Sequence, residues 1–386
     1  MKRANSSVLS GALLVLLSPS LPLVCGACGS DEASAPSATK PASSPEADPA
    51  PKRAEQLRAR LTPGQDPVLA RDVLEKIAFL AVENAADETQ EIVAFDAEGM
   101  RLGALTDDKR IKLELDFCPA TRRVAYVSRY EKDPDRFDII TMDLDGGNGV
   151  NVTLEFPTPE AGLAVLKGGV GKRMLPNRCP SFSRSGDKIY FAHRKDAVWS
   201  LHVTSAKAAV VPELLFAGPK DDGGRRRAQL FDHPEVSPDE QMIACVQRRG
   251  GDPESIGLLD LSSRGGEPVF RGKIAFAAED RLEYPRFSPD GKQLLYLRQN
   301  LSRGTSEIRV QSVESVLSGE GEGELVFGCP PSAIARWARN GTAIVLGADL
   351  GQGEKVYLID LEAPDRTPHL LGGSKVALRN PVWIER

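Results

Sequence analysis

The residues of this 386-residue chain with chemistry to offer are four histidines, six cysteines and a set of regularly placed arginines. The histidines are His193, His202, His233 and His369, and no two have the close spacing that sets a pair of metal ligands on one element. Arg129, Arg194 and Arg248 hold one position relative to the start of three similar apolar runs, and Arg298 sits one residue early in a fourth. Side by side, such arginines would attract a carboxylate-bearing or phosphorylated partner. Paired with nearby acids such as Asp133, Asp196 and Asp252 they would be surface ion pairs of little consequence. The run Arg225-Arg226-Arg227, beside Asp221 and Asp222, reads as a solvated loop. No G-x-S-x-G nucleophile elbow occurs. With no nucleophile, base and orienting acid in view, the chain reads as a non-enzymatic binding protein that needs no cofactor.

These side chains are positioned by a repeat. Residues 284–298 (YPRFSPDGKQLLYLR) read as a strand, a tight turn and a more apolar strand. Pro289 presets φ, Asp290 can bond its own backbone, and Gly291 tolerates φ > 0. Related hairpins recur at 115–128, 180–193, 234–247 and 335–348, with a half-copy at 381–386. A third strand follows each hairpin (137–144, 198–203, 255–261, 307–313 and 355–361, with 90–95 in the first unit), then a fourth. Four strands per unit of 40–50 residues predict an all-β fold, a β-propeller. An aromatic slot before the turn holds Phe117, Phe182, Phe287, Trp337 and Trp383, with Val236 the exception. The slots are 65, 54, 51, 50 and 46 residues apart. The long first interval contains an insertion at 155–178, too short for another blade, so the count is six four-stranded blades. The first unit begins at its second strand, 76–80, and the last residues supply its missing inner strand. The C-terminal strand therefore pairs into blade 1 and closes the ring.

Residues 1–27 carry Lys2 and Arg3, an apolar run at 8–17, and small residues before Cys28, the pattern of an export signal. The segment resembles a bacterial lipoprotein signal, with Gly26-Ala27 before an acceptor Cys28, departing from it at Cys25. Lipidation of Cys28 follows from that resemblance, and Gly29 in the next position implies the outer membrane, facing the periplasm. Residues 28–71, rich in Ser, Ala and Pro, read as a disordered tether, and 72–386 as the propeller. The formal net charge is −5, and −7 without the first 27 residues, which excludes the basic excess of a nucleic-acid binder.

The Pro, aromatic, Ser-Pro-Asp-Gly and apolar-strand module resembles the TolB-type (WD40-like) propeller repeat over about residues 72–386. TolB carries an α/β domain before its propeller, whereas here a tether occupies that place, so the resemblance extends to the propeller alone. It implies a monomeric envelope protein that binds a protein or peptide through one loop-rich face. Insertions at 155–178, 217–230 and 271–283 are expected between blades, crowding that face. Some propeller lyases acting on acidic sugars resemble this fold and hold a metal at the pore through histidines. His233, before Pro234, is the residue here that could join such a cluster. The alternative function is thus a metal-dependent lyase or hydrolase on an acidic glycan. Prolyl peptidases, whose propeller gates a hydrolase, are disfavoured by the missing elbow. Among the later cysteines, Cys118 and Cys179 are offset by four residues in neighbouring blades, about 13 Å and beyond disulfide reach. Cys245 reads as a packed thiol, and Cys179 with Cys329 would have to lean across the pore mouth.

Overall fold

Turn chemistry sets the repeat. In a computed structural model, Ser288 Oγ donates to Asp290 Oδ1 at 2.6 Å and accepts from the Gln293 amide at 2.9 Å. Asp290 in turn accepts from the Lys292 amide at 3.0 Å, and Gly291 takes φ +74°, a conformation a side chain would resist. Ser237 and Asp239 repeat the pattern one blade earlier, with Ser183 and Ser185 before them. The structure describes residues 68–84, 89–130, 133–154, 177–195, 198–217, 229–249, 252–277, 280–371 and 376–384. The signal segment, Cys28 and nearly all of the tether lie outside these residues. So do most of the insertions expected at 155–178 and 217–230.

The strands form six four-stranded sheets, every pairing antiparallel, arranged as a six-bladed propeller. The inner strands are Lys112–Cys118, Asn177–Phe182, Gln229–Val236, Asp280–Phe287, Ile334–Ala338 and Ala377–Trp383. The last pairs with Phe79–Asn84 of blade 1, Phe79 opposite Trp383 and Leu80 opposite Val382, so the chain ends close the ring. Side chains of the aromatic slot fill the seams between blades. Trp383 stacks on Phe79 at 6.1 Å and packs with Val345 and Leu358 of blade 6. Phe117 joins Leu80, Val82 and Ile92 of blade 1 in the next seam. Trp337 is partly buried and donates its Nε1–H to the Arg286 carbonyl at 2.9 Å.

One expected insertion is corrected. Residues 271–283 are mostly strand, since the outer strand of blade 4 runs Phe270–Ala275 and the inner strand of blade 5 runs Asp280–Phe287. Their ends alternate exposed and covered positions, so polar residues such as Arg271, Lys273 and Arg281 mask the pattern in sequence. The blade-5 connection between third and outer strands holds a short helix, Val313–Ser318, capped by Ser312 and closed by Gly319 at φ +75°.

Since neighbouring strands alternate in direction, the turns joining strands 1–2 and 3–4 of every blade share one face, the turn face. Strand 2–3 turns and blade-to-blade connections share the other, the mouth face. The chain joins the ring on the turn face. Val68 and Leu69 donate their amides to the Asp145 carbonyl in the blade-2 strand 3–4 turn at 2.8 and 3.1 Å, and Leu69 is buried. The ordered fold thus takes up residues 68–71, expected in the tether, because Leu69 fills the space above Gly103. No helix among the described residues is long and apolar enough to cross a bilayer.

Candidate functional site

Five of the six inner strands carry the same bulge, and it builds the centre of the ring. The pairing slips by one residue between Leu113 and Asp116, Arg178 and Ser181, Asp232 and Glu235, Glu283 and Arg286, and Arg379 and Val382. In each, the residue left over takes a left-handed φ of 48–54°: Glu114, Cys179, His233, Tyr284 and Asn380. Four of these precede a proline, which cannot donate to the ladder and so suits a bulge. Blade 6 has no bulge, and Ile334 stands in that place.

Above the bulges a cavity of about 1140 Å³ opens on the mouth face. Its wall is partly apolar, with Leu113, Leu230, Leu282 and Leu378, and its rim carries Arg248, Arg281, Arg379, Glu254 and Glu354. Beneath lies an ionic floor. The Arg178 guanidinium donates to Glu114 Oε1 at 3.0 Å, sits 3.2 Å from Asp232 Oδ1, and meets His233 Nε2 at 3.2 Å. Glu114 Oε2 accepts the Cys179 amide at 2.5 Å, and the His233 ring lies 4.1 Å from that of Tyr284. One layer deeper, Arg286 pairs with Glu235, and Arg336 bonds the Leu115 carbonyl and pairs with Asp116 at 3.4 Å. The ion pairs tie strands of different blades together.

Protonation follows from this packing. Burial would lower the pKa of Arg178, but Asp232, Cys179 and Glu114 outweigh it and hold it well above the ordinary value. Burial, reinforced by Glu114, pushes the Cys179 thiol well up. Burial and then the Arg178 charge hold His233 well below its usual range, so the imidazole is neutral. Arg178 can only donate, so Nε2 accepts and the proton sits on Nδ1, which is buried without a hydrogen-bond partner. Burial and the like charge of Arg286 bring Arg336 down to about 10, still a cation at neutral pH. Ligand atoms of Glu114, Cys179 and His233 lie within 4.8 Å of one another, a donor set suited to a transition metal. A metal there would have to displace the Arg178 guanidinium, which bonds two of the three.

No family model matches this chain, and no curated protein matches it. Solved structures do. TolB from Acinetobacter baumannii superposes with a TM-score of 0.56 at 16% identity, over 86% of this chain and 71% of that one. Hydrazine synthase from Kuenenia stuttgartiensis gives 0.56 at 12% identity, over 81% of this chain and 48% of that one. The fold is TolB-like. At such identities the likeness concerns the backbone, and the site must be read from its own residues.

Of the arginines picked out in sequence, Arg248 reaches the rim of the TolB-like ring, about half exposed and 3.5 Å from Glu254. Arg129 and Arg194 occupy the equivalent strand positions in blades 2 and 3 and are half-buried. Arg298 is not brought to them. Blade-5 pairing makes Gln299 the equivalent of Arg248, and Gln299 lines the cavity. One residue earlier, Arg298 faces the other side of the sheet, where it pairs with Asp280 at 2.8 Å and lies 4.2 Å over the Phe276 ring. His233 is in the pore. His193 and His202 pack against each other at 5.5 Å in blade 3, and His369 lies on an outer strand. Cys118, Cys179, Cys245 and Cys329 are all buried free thiols. Sequence reasoning passed over Glu114, Arg178, Asp232, Tyr284, Arg281 and Arg379. For Arg178, Asp232, Tyr284 and Arg379 the available signal was the X-Pro step of four inner strands, because the residues at and just before it are turned to the pore.

Proposed function

We propose that this protein is a non-enzymatic binding protein of the cell envelope, anchored through lipid on Cys28 and facing the periplasm. In this reading residues 1–27 are the signal, 28–67 the tether, and the propeller a monomeric scaffold whose mouth takes a protein or peptide segment. The observation that carries it is the mouth cavity of about 1140 Å³, with apolar walls and charges of both signs on its rim. Such a lining suits a segment of polypeptide, which offers apolar side chains and polar backbone together. Arg248 and Arg281 supply carboxylate contacts at the rim, with Arg129 and Arg194 flanking them. The test is site-specific photo-crosslinking in cells from position 332, where Ser332 is exposed and lines the same cavity. A discrete envelope protein should be trapped, and Arg248→Glu with Arg281→Glu should abolish the adduct. An adduct unaffected by that reversal would remove the arginines from the site. Anchoring is tested separately: palmitate should label the wild-type chain and not Cys28→Ser.

A second reading, a metal-dependent lyase or hydrolase acting on an acidic glycan, draws on the grouping of Glu114, Cys179 and His233. Elemental analysis of the purified protein and a uronate-lyase assay discriminate. Stoichiometric metal lost in His233→Ala, together with turnover, would replace the binding reading.

A further inference from the structure

Ten large apolar side chains are exposed among the described residues, and nine of them collect at one end of the blades. Five blades contribute one at or within two residues of the strand 3–4 turn, and at the blade-2 turn the entering chain supplies it. These are Met100 in blade 1, Val68 laid against Gly146 in blade 2, Val211 in blade 3, Val269 in blade 4, Leu325 in blade 5 and Leu370 in blade 6. Val211 is 73% exposed and Met100 63%. The exception, Leu301, is in a strand 2–3 turn on the mouth face.

We propose that this ring of apolar points is a lipid-contacting surface, so that the turn face rests on a bilayer and the mouth points away from it. The arrangement chooses the occupant. A protein partner seats on a contiguous patch, whereas these points are spaced one to a blade around the ring. A fluid lipid surface accepts separate apolar side chains wherever they fall on one face, each burying a little area in the acyl boundary.

The chain itself leads there. It meets the ring at Val68, on this face, with 67 residues preceding it, including the apolar run at 8–17 and Cys28. If Cys28 is anchored, the 39 residues from 29 to 67 set how far the ring can stand from the membrane. The face is then held near the membrane at high effective concentration, so weak individual insertions suffice. The proposal rests on the anchored reading for this tethering only. The net charge of −5 gives no general attraction to anionic lipid, so contact should be apolar and indifferent to salt.

The test supplies the anchor artificially, so that it does not depend on natural lipidation. The full chain, with Cys25→Ser and Cys28→Ser, is held through an N-terminal histidine tag on phosphatidylethanolamine and phosphatidylcholine vesicles containing nickel-chelating lipid. Bimane is placed on Val211→Cys, Val269→Cys or Arg281→Cys; the four remaining native thiols are buried and do not compete. Nitroxide lipids should quench the probes at 211 and 269 at least about threefold more than at 281. Met100→Asp with Leu325→Asp should reduce quenching at 211, and added salt should leave it unchanged. Equal quenching at the three positions, or more at 281, would overturn the proposal. Docking here without palmitate on the wild-type chain would remove the natural anchor and keep the surface.

Discussion

Arg178 neutralises two carboxylates contributed by other blades, so its removal would be felt beyond its own strand. Arg178→Ala leaves Glu114 and Asp232, both largely buried, without a counter-charge, which should cost about 3–5 kcal/mol in denaturant unfolding. Adding Glu114→Gln and Asp232→Asn should recover much of the loss, because the penalty lies in the uncompensated charge. His202 offers a test of pH dependence. It is buried against Phe191 and bonded to Ser200 Oγ at 2.9 Å, and burial lowers its pKa to about 4. Between that value and the unfolded value of 6.5 the unfolded chain binds the extra proton. The stability His202 contributes is therefore complete above about pH 6.5 and falls as pH drops toward 4, by about 3 kcal/mol in all. His202→Gln should flatten this part of the wild-type stability profile, measured as the difference between the two proteins.

The inner strand Ala377–Trp383 comes last in sequence and sits innermost in blade 1. Its Trp383 side chain packs in the seam between blades 1 and 6. Trp383→Ala should cost about 3–5 kcal/mol. Deleting residues 379–386 should do more, since it leaves the edge of Phe79–Asn84 unpaired and opens the ring. A truncated protein that melts with the full-length one would contradict closure by this strand. The bulges are a second device at this scale. By adding one residue before the turn in five of the six inner strands, they reverse which side chains face the pore, and so decide that Glu114, Cys179 and His233 meet there.

At the scale of the molecule the two faces differ in kind, one a charged cavity at the pore and the other a set of turns with exposed apolar tips. Rim substitutions should therefore separate function from folding. Arg248→Glu with Arg281→Glu, both on exposed side chains, should change stability by no more than about 0.5 kcal/mol while abolishing the cross-linked adduct. Coincident loss of folding and capture in thermal melts would mean that these arginines support the ring and do not simply line its mouth.

Period-two apolar runs, Ser-Pro-Asp-Gly turns and the recurring aromatic slot were enough to read six blades and their closure from the chain alone, because these signals are local and repeat. Residues 271–283 escaped that reading since edge and rim positions need not be apolar. Which polar residues face one another is a long-range matter. Arg298 and Arg248 look alike in sequence, yet a one-residue difference in register puts them on opposite sides of their sheets. Glu114, Arg178 and Asp232 are dispersed over more than a hundred residues and become one ionic cluster only when the ring closes around the pore. Local propensity specified the blades, and tertiary packing, by choosing register and bulge, decided what their centre could bind.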